Sequence, residues 1–139
     1  MNDGLFKEST IREKSKMALD YKIESHGDLL KVTTSGYDEN VNDAVKYGED
    51  ILQACMDSNC QKILVDESRM SDVLDKIGQY ELVTRLAAIA PHDLKVAIVV
   101  NPNNYQETSF GTMVAENRGF KINAFTSMDD AHEWLQLEE

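Results

Sequence analysis

Hydrophobic and polar residues alternate in two short runs near the start of the chain. Tyr21–His26 and Leu29–Thr34 each follow this period of two, and the pair Gly27-Asp28 separates them. Alternation of this kind is typical of half-buried β-strands, and two turn-type residues between such runs are typical of a tight turn. The sequence therefore predicts a β-hairpin over residues 21–34.

A different period follows the hairpin. From Asn40 to about Asp57, apolar residues recur at spacings of three and four, while charged residues occupy the opposite positions. This pattern predicts an amphipathic helix. Asn40 is the expected N-cap, because its side chain can accept a hydrogen bond from a free backbone N–H, and Asp43 suits the positive end of the helix dipole.

Two later runs are continuously apolar. Lys62–Asp66 and Lys95–Val100 lack alternation, which is typical of strands covered on both faces in a parallel sheet. We expect residues 67–72 to form a loop after the first of these strands.

Helical patterns fill the intervals around the second buried run. One helix is predicted from about residues 73–76 to Ala90, where Pro91 stops it. A second helix of about ten residues is predicted to begin at Thr108 or Ser109 and to end at Gly119. Its expected inner face comprises Phe110, Met113, Val114 and Asn117. A last strand over residues 120–125 and a closing helix capped by Ser127 complete the order.

This order predicts an α/β fold. We expect a mixed, mostly parallel sheet with an N-terminal β-hairpin, flanked by about four helices, since short connections between parallel strands form right-handed crossovers. Residues 1–18 show only weak periodicity and are predicted to be a mobile arm or a short docking helix. Residues 19–139 are predicted to form a single domain.

Charge and composition limit the classes of function that this chain could have. Fourteen basic and 25 acidic residues give a net charge of -11, which repels nucleic-acid phosphates and anionic membranes but suits a basic partner. No apolar stretch approaches the roughly 18 residues of a membrane span, so an integral membrane protein is not expected. Cys55 and Cys60 are interpreted as reduced core cysteines, and a soluble cytoplasmic protein is predicted.

Two stretches resemble a known family. Arg118–Leu135 contains Arg-Gly-Phe, a short strand ending in Phe, an acidic helix start, and Ala followed by Trp-Leu; Lys95–Val100 is a matching central strand. In these features the chain resembles the STAS domains of sulfate transporters and anti-sigma-factor antagonists, in particular their SpoIIAA-like branch of small bacterial proteins. The element order matches from about residue 20 to residue 136.

The resemblance implies a mixed sheet flanked by helices that acts as a docking module or a small-ligand binder and usually not as an enzyme. No cofactor is expected. In anti-sigma antagonists a serine is phosphorylated at the start of the helix that follows the strand corresponding to Lys62–Asp66. Here the matching stretch is Asp75–Gly78, with Lys76 at the position of the acceptor. Ser68 and Ser71, just before it, are the nearby substitutes, although a phosphate there would lie close to acidic residues.

Polar residues follow three of the predicted parallel strands. The carboxyl ends of such strands share one edge of a sheet, and ligands usually meet that edge. We therefore predict a rim for a ligand or partner, with turn formation and helix capping as the alternative role of these residues. The rim comprises Asp66, Glu67, Ser68, Arg69, Asn101, Asn103, Asn104, Tyr105 and Thr126.

The sequence supports three functions in descending order. The first is a protein-binding module that uses the rim and the helix from about residue 76 to residue 90. The second is a binder of a small molecule or lipid at the same edge, with an apolar pocket under Trp134 or Phe125, residues that core packing would also explain. The third is an enzyme with Asp66 or Glu67 as general base, for which no partner acid, nucleophile or metal site is evident. The oligomeric state is left open.

Overall fold

A computed structural model describes residues 10–15 and 18–137. Its sheet contains six strands in chain order: β1 (Thr10–Ser15), β2 (Leu19–His26), β3 (Leu29–Tyr37), β4 (Lys62–Asp72), β5 (Lys95–Val100) and β6 (Lys121–Phe125). The helices are α1 (Val41–Ser58), α2 (Lys76–Ala87), α3 (Tyr105–Glu116) and α4 (Met128–Leu135). Strands β1 to β3 pair antiparallel, and β3 to β6 pair parallel. The predicted mixed α/β fold is confirmed.

The N-terminal hairpin forms where alternation predicted it. Strands β2 and β3 pair from Leu19 opposite Gly36 to His26 opposite Leu29. Gly27 has φ 66°, a conformation that glycine adopts without steric cost at a two-residue turn.

Helices cover the two faces of the sheet unequally. Ile63 and Val65 of β4 face the larger core, to which α1, α2 and α3 also contribute. Leu64 faces the opposite way and packs with Ala131 and Leu135 of α4. Successive residues of β4 therefore enter different cores, as the period of two requires, and this explains why the strand is apolar at every position.

Local capping fixes the ends of the predicted helices. The side chain of Asn40 accepts a hydrogen bond of 2.8 Å from the Asp43 backbone N–H, and Ser127 accepts one of 3.2 Å from Asp130. Both predicted N-caps are therefore confirmed. Helix α3 begins earlier than predicted, at Tyr105, because a 3-10 turn over Pro102–Asn104 leads directly into it.

The predicted loop over residues 67–72 is wrong, because β4 continues to Asp72. Its last part pairs with β3 alone: Arg69 lies opposite Ser35, after a register shift, and Met70 lies opposite Gly36. Met70 is fully buried while its neighbours face solvent. The polar residues that suggested a loop are thus the solvent side of a half-covered strand.

The N-terminal segment includes a strand. Thr10–Ser15 pairs with β2 at the edge of the sheet, where a mobile arm or short docking helix was predicted. Residues 1–9, 16 and 17 of that predicted segment lie outside the described residues. β-pairing to an existing edge satisfies the backbone of β1 without requiring a strong hydrophobic pattern.

The cysteine prediction is also wrong. Cys55, near the end of α1, and Cys60, before β4, form a disulfide. Asn59 adopts a left-handed conformation with φ 63° and turns the chain back, which brings the two Cα atoms to 5.1 Å. Among residues 10–15 and 18–137, no helix is long and apolar enough to cross a membrane.

Candidate functional site

The asparagines of the predicted rim mainly hold the strand ends together. The side-chain amides of Asn101 and Asn104 both donate hydrogen bonds to the carbonyl of Met70, at 2.8 and 3.1 Å. The Asn101 side chain also accepts a bond of 2.9 Å from the Asn103 backbone. These contacts tie the end of β5 to β4, which agrees with the alternative role in turns and caps.

Asp66 and Ser68 contact each other at the rim. The carboxylate of Asp66 accepts hydrogen bonds from the Ser68 backbone N–H at 3.0 Å and from its hydroxyl at 2.6 Å. Ser71, the other candidate phospho-acceptor, donates a weaker bond of 3.3 Å to the carbonyl of Gly36. Both serines are exposed, and so is Arg69.

Tyr105 and Thr126 come together in a separate place. Both line a shallow groove beside β6, together with Phe125 and Asp130. The described contacts thus join Asp66 with Ser68, and this groove brings Tyr105 together with Thr126.

Glu67 turns away from the rim into the protein interior. Its side chain follows Ile63 and Val65 on the larger core face and is 9% exposed. The hydroxyl of Tyr47 on α1 donates a hydrogen bond of 2.8 Å to Glu67 Oε2 and lies 2.7 Å from the Thr34 hydroxyl. Three polar side chains from β3, α1 and β4 thus form a buried chain.

Burial changes the protonation of this group of residues. Desolvation, followed by the nearby charge of Asp38, raises the pKa of Glu67 to about 8. Desolvation also raises the pKa of Asp38 to about 6, although the Leu74 backbone N–H donates to its carboxylate at 3.3 Å. The pKa of Tyr47 is raised well above 10, first by burial and then by the Glu67 charge. Glu67 is therefore predominantly protonated at neutral pH.

A cavity of about 90 Å³ lies between the sheet and helices α1 to α3. Its walls are mainly aliphatic. The polar and ionisable side chains that line it are Asp38, Tyr47, Glu67, Gln79, Thr108 and Thr112. A concave apolar space with a few convergent polar groups is the usual form of a small-ligand site.

Two threonines of α3 reach this cavity with different hydrogen bonding. Thr108 and Thr112 are each 5% exposed. The Thr112 hydroxyl donates a bond of 3.0 Å to the Ser109 carbonyl, whereas the Thr108 hydroxyl has no partner. A buried hydroxyl without a partner costs free energy, so Thr108 marks an unused polar position in the cavity wall.

Helices α2 and α3 also present an exposed apolar surface, which we call the α2–α3 face: Ile77, Tyr80, Phe110 and Met113. Ile77 is 79% exposed, Tyr80 48% and Met113 52%, while Phe110 is partly buried. Basic groups lie against it: Arg118 donates a hydrogen bond of 3.1 Å to the Tyr80 hydroxyl, and Lys76 Nζ lies 5.9 Å from the Phe110 ring centre.

An acidic groove adjoins the start of α2. Asp38, Asp72, Asp75 and Glu107 line it, and Asp75 is also the N-cap of α2, accepting a bond of 2.9 Å from Gly78. Within the described ranges, no group of three His, Cys, Asp or Glu side chains could hold a metal ion.

Trp134 and Phe125, the residues predicted to cover an apolar pocket, lie against each other. The two rings pack against each other with centroids 5.8 Å apart, and Lys95 Nζ lies 4.5 Å from the Trp134 ring centre. Trp134 therefore packs α4 against the sheet, and the apolar cavity lies across the sheet, under α1 to α3.

Tyr47 was not predicted to be a site residue, although its position in the sequence indicates that it is buried. It lies three residues after Ala44 and four before Ile51, so it shares the apolar face of α1. A tyrosine at a core position needs a hydrogen-bond partner, and the candidates on the next strand include Glu67. Thr108 carries no comparable signal, because its lack of a partner depends on packing.

Comparison with known proteins gives a structural likeness. No protein-family profile matches the chain, and no curated protein does. An anti-sigma factor antagonist from Mycobacterium paratuberculosis superposes with a TM-score of 0.61 at 12% identity, over 86% of this chain and 95% of that one. An uncharacterized protein of the DUF3478 family from Shewanella loihica, described as SpoIIAA-like, gives a TM-score of 0.49 at 17% identity, over 88% and 98%. The chain thus has the STAS-like fold of an anti-sigma factor antagonist, as the resemblance implied.

Proposed function

We propose that this protein is a non-catalytic regulatory module that binds a protein partner through the α2–α3 face. The observation that carries the proposal is the 79% exposure of Ile77 in the first turn of α2. Tyr80 lies one turn further along the same helix. Burying a large aliphatic side chain contributes about 1.5–3 kcal/mol, and large aromatic and aliphatic anchors of this kind dominate many interfaces.

Charge around this face indicates the character of the partner. The acidic groove of Asp38, Asp72, Asp75 and Glu107 lies next to the start of α2, and the chain carries a net charge of -11. We infer a partner segment that places apolar side chains on Ile77 and Tyr80 and Lys or Arg side chains in the groove. Such complementarity accelerates association and selects the partner.

The fold supports a regulatory role. The solved protein that superposes with a TM-score of 0.61 is described as an anti-sigma factor antagonist, a class of protein defined by opposing another protein. The strand-end rim stays a prediction as a second contact region, with Arg69 and Tyr105 as exposed members. Phosphorylation of Ser68 or Ser71 would add negative charge near Asp66 and Asp72.

Acid–base catalysis by the two candidate carboxylates is disfavoured. A carboxyl group with a pKa of about 8 can exchange a proton near neutral pH, but that of Glu67 is buried in the core and hydrogen-bonded to Tyr47. Asp66 already accepts two hydrogen bonds from Ser68.

Site-specific photo-crosslinking in the native cell tests the proposal. A benzophenone amino acid at position 77 or 80 should capture one protein, and the same group at position 89 should not. Ile89 is the matched control, because it is 49% exposed but lies beyond the end of α2. Equal capture from positions 77 and 89, or no capture from 77 and 80, contradicts docking at this face.

A further inference from the structure

The cavity under helices α1 to α3 has an unused polar position among apolar walls. The Thr108 hydroxyl is buried there without a hydrogen-bond partner. Tyr47 and Glu67 also line the cavity, and their own hydrogen bond leaves further lone pairs on the Glu67 carboxyl group. The cavity therefore offers a hydroxyl from α3 and a carboxyl group from β4 to a molecule inside.

The charges of the wall select among ligands. Asp38 and Glu67 are its ionisable carboxyl groups, and none of the lining residues that the structure describes is Lys, Arg or His. An anionic ligand such as a carboxylate would bury a charge without a counter-charge, which is strongly unfavourable. A cationic ligand would have a counter-charge, because Glu67 can ionise beside it.

We propose that this cavity binds a small amine with an apolar body, its ammonium group contacting Glu67 and Thr108. The ammonium has three donors and no acceptor, so it can donate to the Glu67 carboxylate and to the free lone pairs of the Thr108 hydroxyl. The apolar body lies against aliphatic residues such as Val83 and Ile98.

The size of the cavity limits the ligand. Its volume of about 90 Å³ is smaller than that of an engineered cavity of about 150 Å³ that binds benzene. A short alkyl amine is therefore the appropriate probe. Asp38 and Val73 line both this cavity and the outer acidic groove, so a cation would enter past Asp38.

Binding of the amine is coupled to proton release. Glu67 exchanges its proton for the ammonium, so affinity should rise as pH increases from 6 to 8.5, a range in which an alkyl amine stays charged. The groups that act on Glu67 are the Tyr47 hydroxyl and the charges of Asp38 and Asp66. This site stands apart from the proposed docking function, because Ile77, Tyr80 and Met113 do not line the cavity.

The test is a titration of the full chain followed by amide NMR, with n-butylamine, 1-butanol and butyrate as probes. Butylamine should produce saturable shifts at Gly48 and Thr108, butanol weaker ones and butyrate none. E67Q should weaken butylamine binding at least tenfold and remove its pH dependence above the range in which Asp38, with a pKa of about 6, titrates. E116Q is the matched control, since Glu116 is an exposed acidic residue of α3 that neither lines the cavity nor acts on Glu67, and it should bind as the wild type does.

Three results would overturn the proposal: equal binding of butanol and butylamine, saturable binding of butyrate, or unchanged butylamine affinity in E67Q. Absence of any saturable shift would overturn it as well. T108V provides a second route if E67Q folds poorly, because it removes one acceptor of the ammonium and should weaken butylamine several-fold without affecting the pH dependence.

Discussion

Tyr47 donates a hydrogen bond of 2.8 Å to Glu67 across 20 positions of sequence, and both side chains are buried between α1 and the sheet. This pair places a protonated carboxyl group inside the larger core. Asp66, the preceding residue of β4, points to the opposite face of the sheet. Two consecutive residues therefore supply one carboxyl group to the rim and one to the interior.

The first prediction concerns pH. The pKa of Glu67 is raised from 4.5 to about 8, so between these values the folded chain holds a proton that the unfolded chain releases. The free energy of unfolding should therefore fall as pH rises through this window, by up to about 1.4 kcal/mol per pH unit from this group. Urea unfolding at pH 5 to 9 measures this fall.

E67Q separates this contribution from the general repulsion of an acidic chain. The variant should lose the Glu67 part of the pH dependence and exceed the wild type by at least about 1 kcal/mol at pH 8.5. E116Q is the control, because Glu116 is exposed and its charge is not among those that act on Glu67, and it should retain the wild-type slope. Parallel curves for E67Q and the wild type would show that Glu67 does not hold the proton.

The second prediction concerns the two threonines of α3. T108V removes a buried hydroxyl without a partner and should stabilise the protein by about 1 kcal/mol. T112V removes a hydroxyl that donates to the Ser109 carbonyl and should be neutral or destabilising. Chemical denaturation of both variants makes the comparison, and equal effects would refute the assigned difference in hydrogen bonding.

The third prediction concerns the shared acceptor at the end of β4. N104A should destabilise the protein by about 1–2 kcal/mol, because its buried amide donates to the Met70 carbonyl. N101A removes the other donor. The double variant should lose more stability than the two single variants together, since it leaves the Met70 carbonyl without either side-chain donor. N103A is the control, as its side chain is exposed. Simple additivity would contradict the shared acceptor.

The fourth prediction concerns Cys55 and Cys60. Protein denatured without reductant should react with no thiol-directed alkylating agent, and reduction should expose both thiols. Reduction should cost about 2 kcal/mol of stability, the estimate for a loop this short. Intact mass spectrometry measures the labelling, and C55A/C60A provides the unlabelled control. Two labelled thiols before reduction would restore the interpretation of reduced cysteines.

Much of the fold was predictable from the sequence because its signals are local. The period of two marked the hairpin, continuous apolar runs marked β4 and β5, and Asn40 and Ser127 marked helix starts. The end of β4 was missed because Ser68, Arg69 and Ser71 resemble loop residues. Only the pairing with β3 shows that they are the solvent side of a strand.

Less of the site was predictable, because it depends on contacts between distant elements. Helix α3 buries Thr108, Gly111 and Thr112, whereas Met113 of the predicted inner face is exposed. Small residues face inward because α2 lies close: a Cβ at Gly111 would come within 2.7 Å of the Gln79 side-chain oxygen. A hydrophobic pattern favours large apolar residues and cannot register such a close approach.

The central claim is that the protein docks a partner on the α2–α3 face. The most direct measurement is titration calorimetry of the purified partner, identified by the photo-crosslinking experiment, with the wild type, I77D and I89D. We expect I77D to weaken binding at least about 30-fold, corresponding to the loss of roughly 2 kcal/mol from an interface anchor, and I89D to bind as the wild type does. Equal affinities for I77D and the wild type would contradict the claim.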